Sequence, residues 1–351
     1  MKVFLTGATG FVGMEVMARL LERGDEVVAL VRAPDAQAAQ GRLDEVLGKL
    51  WKDPSPYRAG ASAIVGDVTS ERLGLDGGLP EVDAVVHCAA SIEFSLPLEE
   101  ARAINVEGTR RMVEAVRSAR VKRFVHVSTA YVAGQTSGRF GEDQLDIGQT
   151  FRNTYEQTKR ESEEIVATSG LGAAIARPSI VVGESTSGWT PVFNVLYWPL
   201  NAFKRGLFDE VPVLLEARVD VVPVDYVADG IVALVDRSDE GVFNLVASEQ
   251  ASTVTELVEL ACRRFDRPPP KLIDPAAEGG GAGAKHGAVY LPYFDMELVF
   301  DDSRTRELLG IQPPRFRDYF GVLMDYADLA KWGKRGFARD EANERALSAA
   351  S

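Results

Sequence analysis

The chain of 351 residues lacks the features that mark secreted, metal-binding and membrane-spanning proteins. Its only cysteines, Cys88 and Cys262, lie far apart, so they form neither a metal-ligand spacing nor a disulfide framework. No apolar run approaches the length of a membrane span, and the first one, VFL, is too short for the core of a signal peptide. These absences predict a cytoplasmic protein with no metal site and no transmembrane segment.

Basic residues are also scarce relative to acidic ones. The chain has 39 lysines and arginines against 52 aspartates and glutamates, a net charge of −13. Such a chain is poorly suited to binding nucleic acid or an anionic membrane surface. We therefore expect a small-molecule substrate and no nucleic-acid partner. The chain is expected to be a monomer or homodimer.

Short apolar segments alternate with helical patterns through the first half of the chain. They read KVFLT, EVVALV, SAIVG, DAVVHCA, KRFVHVS and AAIARPS. Apolar strands separated by helices predict an α/β fold, a doubly wound parallel sheet of the Rossmann type. Residues 1–180 are expected to bind a dinucleotide and carry the catalytic residues. Residues 181–330 should form a smaller α/β substrate-binding region interleaved with that core, with a flexible glycine-rich loop at 276–288, and 331–351 a charged tail.

A glycine-rich turn, TGATGFVG, follows the first strand and opens a helix predicted over 11–23. Glycine lets the backbone approach a pyrophosphate, and the helix start offers free N–H groups to the anion. The spacing is G-x-x-G-x-x-G, and its position directly after the first strand is what makes it indicate dinucleotide binding. The predicted cofactor-binding residues here are Gly7, Thr9, Gly10, Phe11, Val12 and Gly13.

The second strand ends at Arg32, where dinucleotide-binding folds select between cofactors. An acid at this point would bind the 2′-hydroxyl of NAD, whereas an arginine suits the 2′-phosphate of NADP. The sequence therefore favours NADP(H), with NAD(H) as the alternative if Arg32 is only a surface residue.

Two further strand ends carry residues that fit a dinucleotide. Asp67 could accept the adenine amino group with Val68 packing on the ring, although Asp67 would equally suit a helix N-cap. Ala89 and Ala90 are small where the cofactor must pass. His87 lies in an apolar strand and is predicted to be a core residue with its hydrogen bonds satisfied.

The chemistry is predicted where the fifth strand ends. Ser128 and Thr129 lie at its carboxyl end, the edge at which open α/β sheets bind ligands. Tyr155 and Lys159 follow, spaced to share one face of a helix. A tyrosine and lysine so spaced are usually surface residues, but here they follow a dinucleotide loop and a hydroxyl-bearing strand end, which favours a catalytic set.

These motifs together resemble the extended short-chain dehydrogenases/reductases over roughly residues 1–250. Within that superfamily, "FLTGATGFVG", "VHCAASIEF", "INVEGTRRM", "KRFVHVSTAYVAG" and "RPSIVVGES" look most like the male-sterility-like branch of thioester reductases and fatty acyl-CoA reductases. Sugar-nucleotide epimerases share the plan, but their strand-end motif ends VYG where this chain has VAG.

The resemblance implies hydride transfer from a nicotinamide to a carbonyl carbon, with Tyr155 as the acid. Lys159 would lower the pKa of Tyr155 and hold the nicotinamide ribose, while Thr129, supported by Ser128, would bond the carbonyl oxygen. The segment 177–179, with Pro178 and Ser179, would lie near the nicotinamide. Asn105 would brace the backbone of the active site.

The substrate implied is an acyl thioester, or a derived aldehyde or ketone, supplied by a separate partner. The apolar residues of 192–208, including Trp198, Phe203 and Phe208, suggest a site for an acyl chain, although such residues more often form core. Lys204 and Arg205 suggest an anionic carrier such as coenzyme A. The alternatives are an NAD-dependent epimerase, dehydratase or hydroxysteroid-type dehydrogenase, and a dinucleotide sensor without turnover.

Overall fold

The computed structural model describes residues 1–193, 195–207, 210–212, 214, 217–273 and 291–350. The loop predicted at 276–288 and Phe208 lie outside these ranges. The described strands are β1 Lys2–Thr6, β2 Glu26–Val31, β3 Ala61–Val65, β4 Ala84–His87, β5 Arg123–Val127, β6 Gly138–Phe140, β7 Ala174–Pro178, β8 Ile180–Val182, β9 Glu210–Pro212, β10 Arg218–Val219, β11 Val221–Pro223, β12 Gly241–Leu245, β13 Ser252–Thr253, β14 Lys271–Ile273 and β15 Leu298–Phe300. The described helices are α1 Phe11–Glu22, α2 Ala36–Leu50, α3 Ser55–Arg58, α4 Leu98–Ala119, α5 Thr154–Ala167, α6 Tyr197–Lys204, α7 Val224–Asp236, α8 Val254–Phe265, α9 Ser303–Leu309, α10 Phe316–Leu329 and α11 Arg339–Ala350.

Seven parallel strands form the central sheet, in the order β12-β7-β5-β4-β1-β2-β3. Val3, Phe4 and Leu5 of β1 have no exposed surface, as expected for a strand covered on both faces. The six predicted strands and the doubly wound α/β fold are confirmed. The seventh strand, β12, was not predicted, because it lies in the less regular second half of the chain; it pairs with β7 at the edge of the sheet.

The strand order reverses between β1 and β4, which both pair with their neighbours in parallel. At such a switch point the loops after the two strands part and leave a crevice at the carboxyl edge of the sheet. The glycine turn after β1 therefore faces the chain that follows β4.

The chain after β7 contributes to both parts of the molecule. It returns β12 to the central sheet and packs α7 against α1. It also builds small two-stranded sheets, β8 with β11 and β6 with β15, around a second apolar core. No helix in the described ranges has both the length and the apolar character needed to cross a membrane.

The C-terminal tail packs on the part of the molecule that holds the central sheet. Arg339, at the start of α11, is only 5% exposed, and its Nη1 lies 3.1 Å from Oε2 of Glu15 in α1. Trp189 donates its indole N–H to the carbonyl of Phe337 at 2.9 Å. The described part of the tail therefore ends in a docked helix, α11.

Candidate active site

The turn after β1 has no room for side chains at two of its glycines. Gly7 has φ of +75°, and a Cβ there would lie 2.7 Å from the carbonyl carbon of Cys88. A Cβ on Gly13 would lie 2.2 Å from the carbonyl oxygen of Gly7. Real Cβ atoms do not approach so closely, so α1 packs directly on the turn only because both positions are glycine.

The start of α1 is open toward the crevice. Gly10 is the N-cap and supplies no side-chain hydrogen bond to the first turn. An uncapped helix start with adjacent glycines is an anion site, because the N–H groups and the helix dipole both favour negative charge. This cradle fits the pyrophosphate of a dinucleotide. Thr9 is exposed on the same turn.

A cavity of about 660 Å³ runs from this turn along the carboxyl edge of the sheet. It brings together residues from the glycine turn, the end of β5, α5 and the chain after β7. The predicted residues that line it are Gly7, Gly10, Phe11, Val12, Gly13, Ala90, Ser128, Thr129, Tyr155, Lys159, Pro178 and Ser179. Thr9, Arg32, Asp67, Val68, Ala89 and Asn105 are not among its lining residues.

Helix α5 carries Tyr155 and Lys159 to the cavity. Asn153 caps the helix by accepting the backbone N–H of Glu156 at 3.0 Å. Lys159 is 2% exposed, and its Nζ donates to the carbonyl oxygen of Val127 at 2.8 Å. The lysine thus ties α5 to the end of β5.

The prediction that Lys159 brings the pKa of Tyr155 below its ordinary value is wrong for this structure. Burial raises the pKa of Tyr155 to about 12, against a smaller opposing effect of its interaction with the Thr129 hydroxyl. Burial also lowers the pKa of Lys159 to about 8. Tyr155 is therefore a neutral phenol at physiological pH, ready to donate a proton rather than to accept one.

The two hydroxyl residues after β5 differ in their contacts. Thr129 Oγ1 lies 3.3 Å from the carbonyl oxygen of Pro178, to which it donates, and accepts the N–H of Tyr131 at 3.3 Å. The Ser128 hydroxyl is buried and has no hydrogen-bond partner within the described part of the chain. Both line the cavity, so Ser128 offers an uncommitted hydroxyl to whatever binds there.

Asn105 holds the loop that follows β4 from outside the cavity. Its Oδ1 accepts the N–H of Ser91 at 2.7 Å, and its Nδ2 donates to the carbonyl of Ser91 at 3.1 Å. Nδ2 also donates to Thr158 Oγ1 of α5 at 2.9 Å. Asn105 therefore joins this loop to α5, and a direct contact with a cofactor stays a prediction.

The residues predicted for adenine and ribose lie toward the β2–β3 edge. Arg32 is exposed directly after β2. Asp67 accepts hydrogen bonds from both the N–H and the hydroxyl of Thr69 at 2.8 Å, so its side chain closes a turn. The alternative that Asp67 is a helix N-cap is therefore wrong. Val68 is buried against Gly108 of α4, and its contact with an adenine ring stays a prediction.

His87 is a satisfied core residue, as predicted. Its Nδ1 lies 2.7 Å from Thr6 Oγ1, and its Nε2 lies 3.3 Å from Thr109 Oγ1. Burial lowers its pKa to about 3, so the ring is neutral. It is not a base for the reaction.

Aromatic rings that sequence reasoning missed form one wall of the cavity. Phe94 lies with its ring centroid 5.7 Å from that of Tyr155 and 5.5 Å from that of Tyr293. Tyr131 meets Tyr293 edge-on at 4.8 Å. Phe94 stands in the SIEF stretch that carried the resemblance, but Tyr293 had no local signal because it comes from the distant chain before β15.

The apolar segment 192–208 is mainly core. Of it, Val195 lines the cavity, while Leu196, Tyr197, Leu200 and Phe203 are buried in the second apolar core. The alternative that these residues form core is therefore confirmed for these four, and an acyl-chain site stays a prediction for the rest of the described segment. Lys204 is paired with Asp328 rather than free for a carrier, whereas Arg205 is exposed.

Comparison with known proteins identifies the family. The sequence model of the male sterility protein family matches residues 5–231. Fatty acyl-CoA reductase 1 of Homo sapiens is 32% identical over 271 residues, which cover 65% of this chain and 53% of the reductase. The chain thus spans about half the length of that relative.

Solved structures share the fold at lower identity. The terminal R domain of the myxalamid PKS-NRPS pathway superposes with a TM-score of 0.81 at 24% identity, covering 96% of this chain and 92% of that domain. UDP-glucuronic acid 4-epimerase from Bacillus cereus, in complex with NAD, has a TM-score of 0.70 at 19% identity and covers 94% and 99%. The chain belongs to the male sterility protein family, the thioester-reductase branch of the NAD(P)-dependent extended short-chain dehydrogenases/reductases.

Proposed function

We propose that this chain is an NADPH-dependent reductase of acyl thioesters, and of the aldehydes derived from them, with Tyr155 as the acid. The observation that carries the proposal is the meeting of Tyr155, Lys159 and Thr129 in one cavity with the glycine turn. The fatty acyl-CoA reductase relative supports a thioester as substrate.

A bound nicotinamide supplies the hydride that reduces the carbonyl carbon. Tyr155 gives its proton to the carbonyl oxygen, which becomes the hydroxyl of a hemithioacetal. Breaking the C–S bond then returns the carbonyl and passes the hydroxyl proton to the departing sulfur. One thioester, one NADPH and one proton therefore give one aldehyde, one thiol and one NADP⁺.

The chain's own groups stabilise the charge that develops in these steps. Thr129 can turn its hydroxyl from Pro178 toward the carbonyl oxygen, since a hydroxyl rotates to suit its partner. Lys159, as an ammonium, favours the tyrosinate left when Tyr155 gives up its proton.

Two features support the finer choices of cofactor and substrate. Arg32, exposed at the end of β2, suits the 2′-phosphate of NADPH. Ile92, Phe94 and Val195 line the cavity with apolar surface, which suits an acyl chain better than a sugar nucleotide. The apolar wall therefore favours the reductase over an epimerase. The presence of both Tyr155 and Lys159 favours an enzyme over a sensor without turnover.

The test is an NADPH-consumption screen of the purified chain against acyl-CoAs, aldehydes, ketones and sugar nucleotides. We expect consumption with thioesters, one thiol released per NADPH in the first reduction, and kcat/KM that rises along an acyl series because each buried methylene contributes about 0.8 kcal/mol. Phe94→Asp should flatten this rise, whereas Ile147→Asp, at an exposed apolar residue elsewhere, should not. Turnover only with a sugar nucleotide would favour the epimerase instead.

A further inference from the structure

A fully buried ion pair joins the helix that carries Tyr155 to the strand that ends at Pro178. Arg177 of β7 and Glu163 of α5 both have no exposed side-chain surface. Arg177 Nε lies 3.0 Å from each carboxylate oxygen of Glu163, and its Nη2 lies 2.7 Å from Oε2. Arg177 had been expected near the nicotinamide with Pro178, but it is not among the residues that line the cavity.

Arg177 is held by other groups as well. Its Nη2 donates to the carbonyl oxygen of Gln144 at 2.9 Å, and the guanidinium lies 5.4 Å from the centre of the Phe140 ring. The pair is thus fully satisfied. Buried ion pairs are nevertheless often no more stable than apolar side chains of the same size, so stability alone does not account for this one.

The position of Glu163 on α5 gives the pair a second consequence. Tyr155, Lys159 and Glu163 follow one another at intervals of four residues, so they lie along one side of the helix. The carboxylate of Glu163 raises the pKa of Lys159, against the larger lowering by burial. Glu163 therefore opposes the loss of charge that burial imposes on Lys159.

Among the other groups around Lys159, Cys88 also raises the pKa of Lys159, but its effect is smaller than that of Glu163. Burial holds the thiol of Cys88 protonated, and it holds His87 and His126 neutral. Tyr155 is a neutral phenol. Glu163 thus has the larger of the two effects that raise the pKa of Lys159, and it is the one that comes from a carboxylate.

We propose that Glu163, fixed by Arg177, is a positioning residue that keeps Lys159 in its ammonium form beside Tyr155. The role of this charge in catalysis rests on the proposed function. The charge on Lys159, however, can be measured without any substrate.

The test uses Glu163→Gln, with Glu164→Gln as the matched control, since Glu164 is the next residue on α5 and is exposed. Lysine labelled with ¹³C at Cε is titrated by NMR, and the Lys159 signal is assigned by its loss in Lys159→Arg. Glu163→Gln should move the Lys159 titration to lower pH by about one unit. Glu164→Gln should leave it in place.

A double variant separates charge from packing. Glu163→Gln with Arg177→Met removes both charges, so it should recover most of the melting temperature lost in Glu163→Gln while the Lys159 titration stays low. The alkaline limb of the turnover profile should move with the NMR titration in both variants. A Lys159 titration unchanged in Glu163→Gln, or restored in the double variant, would show that the pair serves packing alone. Absence of thioester turnover in the parent chain would contradict the proposed function, whereas the NMR titration would still test the effect of Glu163 on Lys159.

Discussion

Lys159 Nζ and the carbonyl oxygen of Val127 are joined by a hydrogen bond of 2.8 Å, so the lysine is oriented by the sheet and not by Tyr155. This contact fixes α5 at the end of β5, where Ser128 and Thr129 begin the next turn. It leaves the remaining N–H groups of Lys159 toward the cavity, which the residue lines. The lysine is thus placed to meet ligand hydroxyls and a developing tyrosinate.

Turnover should depend on the Tyr155 hydroxyl. Tyr155→Phe removes the proton donor and leaves the ring against Phe94, so we expect NADPH to bind as before while reduction falls by about 10²–10⁴-fold. Steady-state kinetics and fluorescence titration measure the two effects. Tyr57→Phe, which lies against Trp51 away from the cavity, is the control. Near-parent activity of Tyr155→Phe would show that another group is the acid.

The pH dependence should report Lys159. Its pKa is lowered by burial to about 8, so the ammonium is present below that pH and is lost as the pH rises through it. We expect kcat to fall on the alkaline side with a midpoint near that value. Lys159→Ala should weaken both turnover and NADPH binding. Lys159→Arg should still bind NADPH, and its kcat should no longer fall at alkaline pH, because arginine stays charged. A profile flat to pH 10 would contradict this role.

Cofactor preference should follow Arg32. The guanidinium at the end of β2 can pair with a 2′-phosphate, so NADPH should bind more tightly than NADH. Arg32→Asp should weaken or reverse the preference, because it replaces the cation by the acid that suits NAD. Fluorescence titrations with both cofactors provide the measurement. Equal affinities in the parent chain would refute the assignment.

The glycine turn should not tolerate a side chain at Gly13. A Cβ there would lie 2.2 Å from the carbonyl oxygen of Gly7, so Gly13→Ala must push α1 away from the turn. We expect weaker dinucleotide binding and a stability loss of about 1–3 kcal/mol. Gly48→Ala on α2, where a Cβ meets nothing within 4 Å, should be neutral or stabilising by about 1 kcal/mol. Similar effects of both changes on dinucleotide binding would contradict the assignment of the glycine turn as the pyrophosphate site.

The sequence predicted those parts of the molecule that depend on local pattern. Apolar strands and a glycine turn are defined by neighbouring residues, so the sheet and the dinucleotide cradle could be anticipated. That Tyr155 and Lys159 reach the same cavity from one helix also follows from helical spacing.

Features set by distant segments were missed. Tyr293 reaches Asn153 from 140 positions away, and Arg339 reaches Glu15 across nearly the whole chain. The ion pair of Glu163 was also missed, because nothing nearby in the sequence shows that Arg177 covers it. The pKa of Tyr155 was misjudged for the same reason, since burial by Phe94 and its neighbours outweighs the effect expected from Lys159.

The most direct measurement of the central claim follows a deuterium atom from the nicotinamide. The purified chain is given NADPH deuterated at C4 on either face, together with an acyl-CoA, and the products are analysed by mass spectrometry. Reduction of a thioester by direct hydride transfer predicts deuterium at C1 of the aldehyde or alcohol from one of the two labelled cofactors, with one free thiol formed for each thioester reduced, and loss of this product in Tyr155→Phe. NADPH left unconsumed with every thioester tested, or consumed without deuterium in the product, would contradict the account.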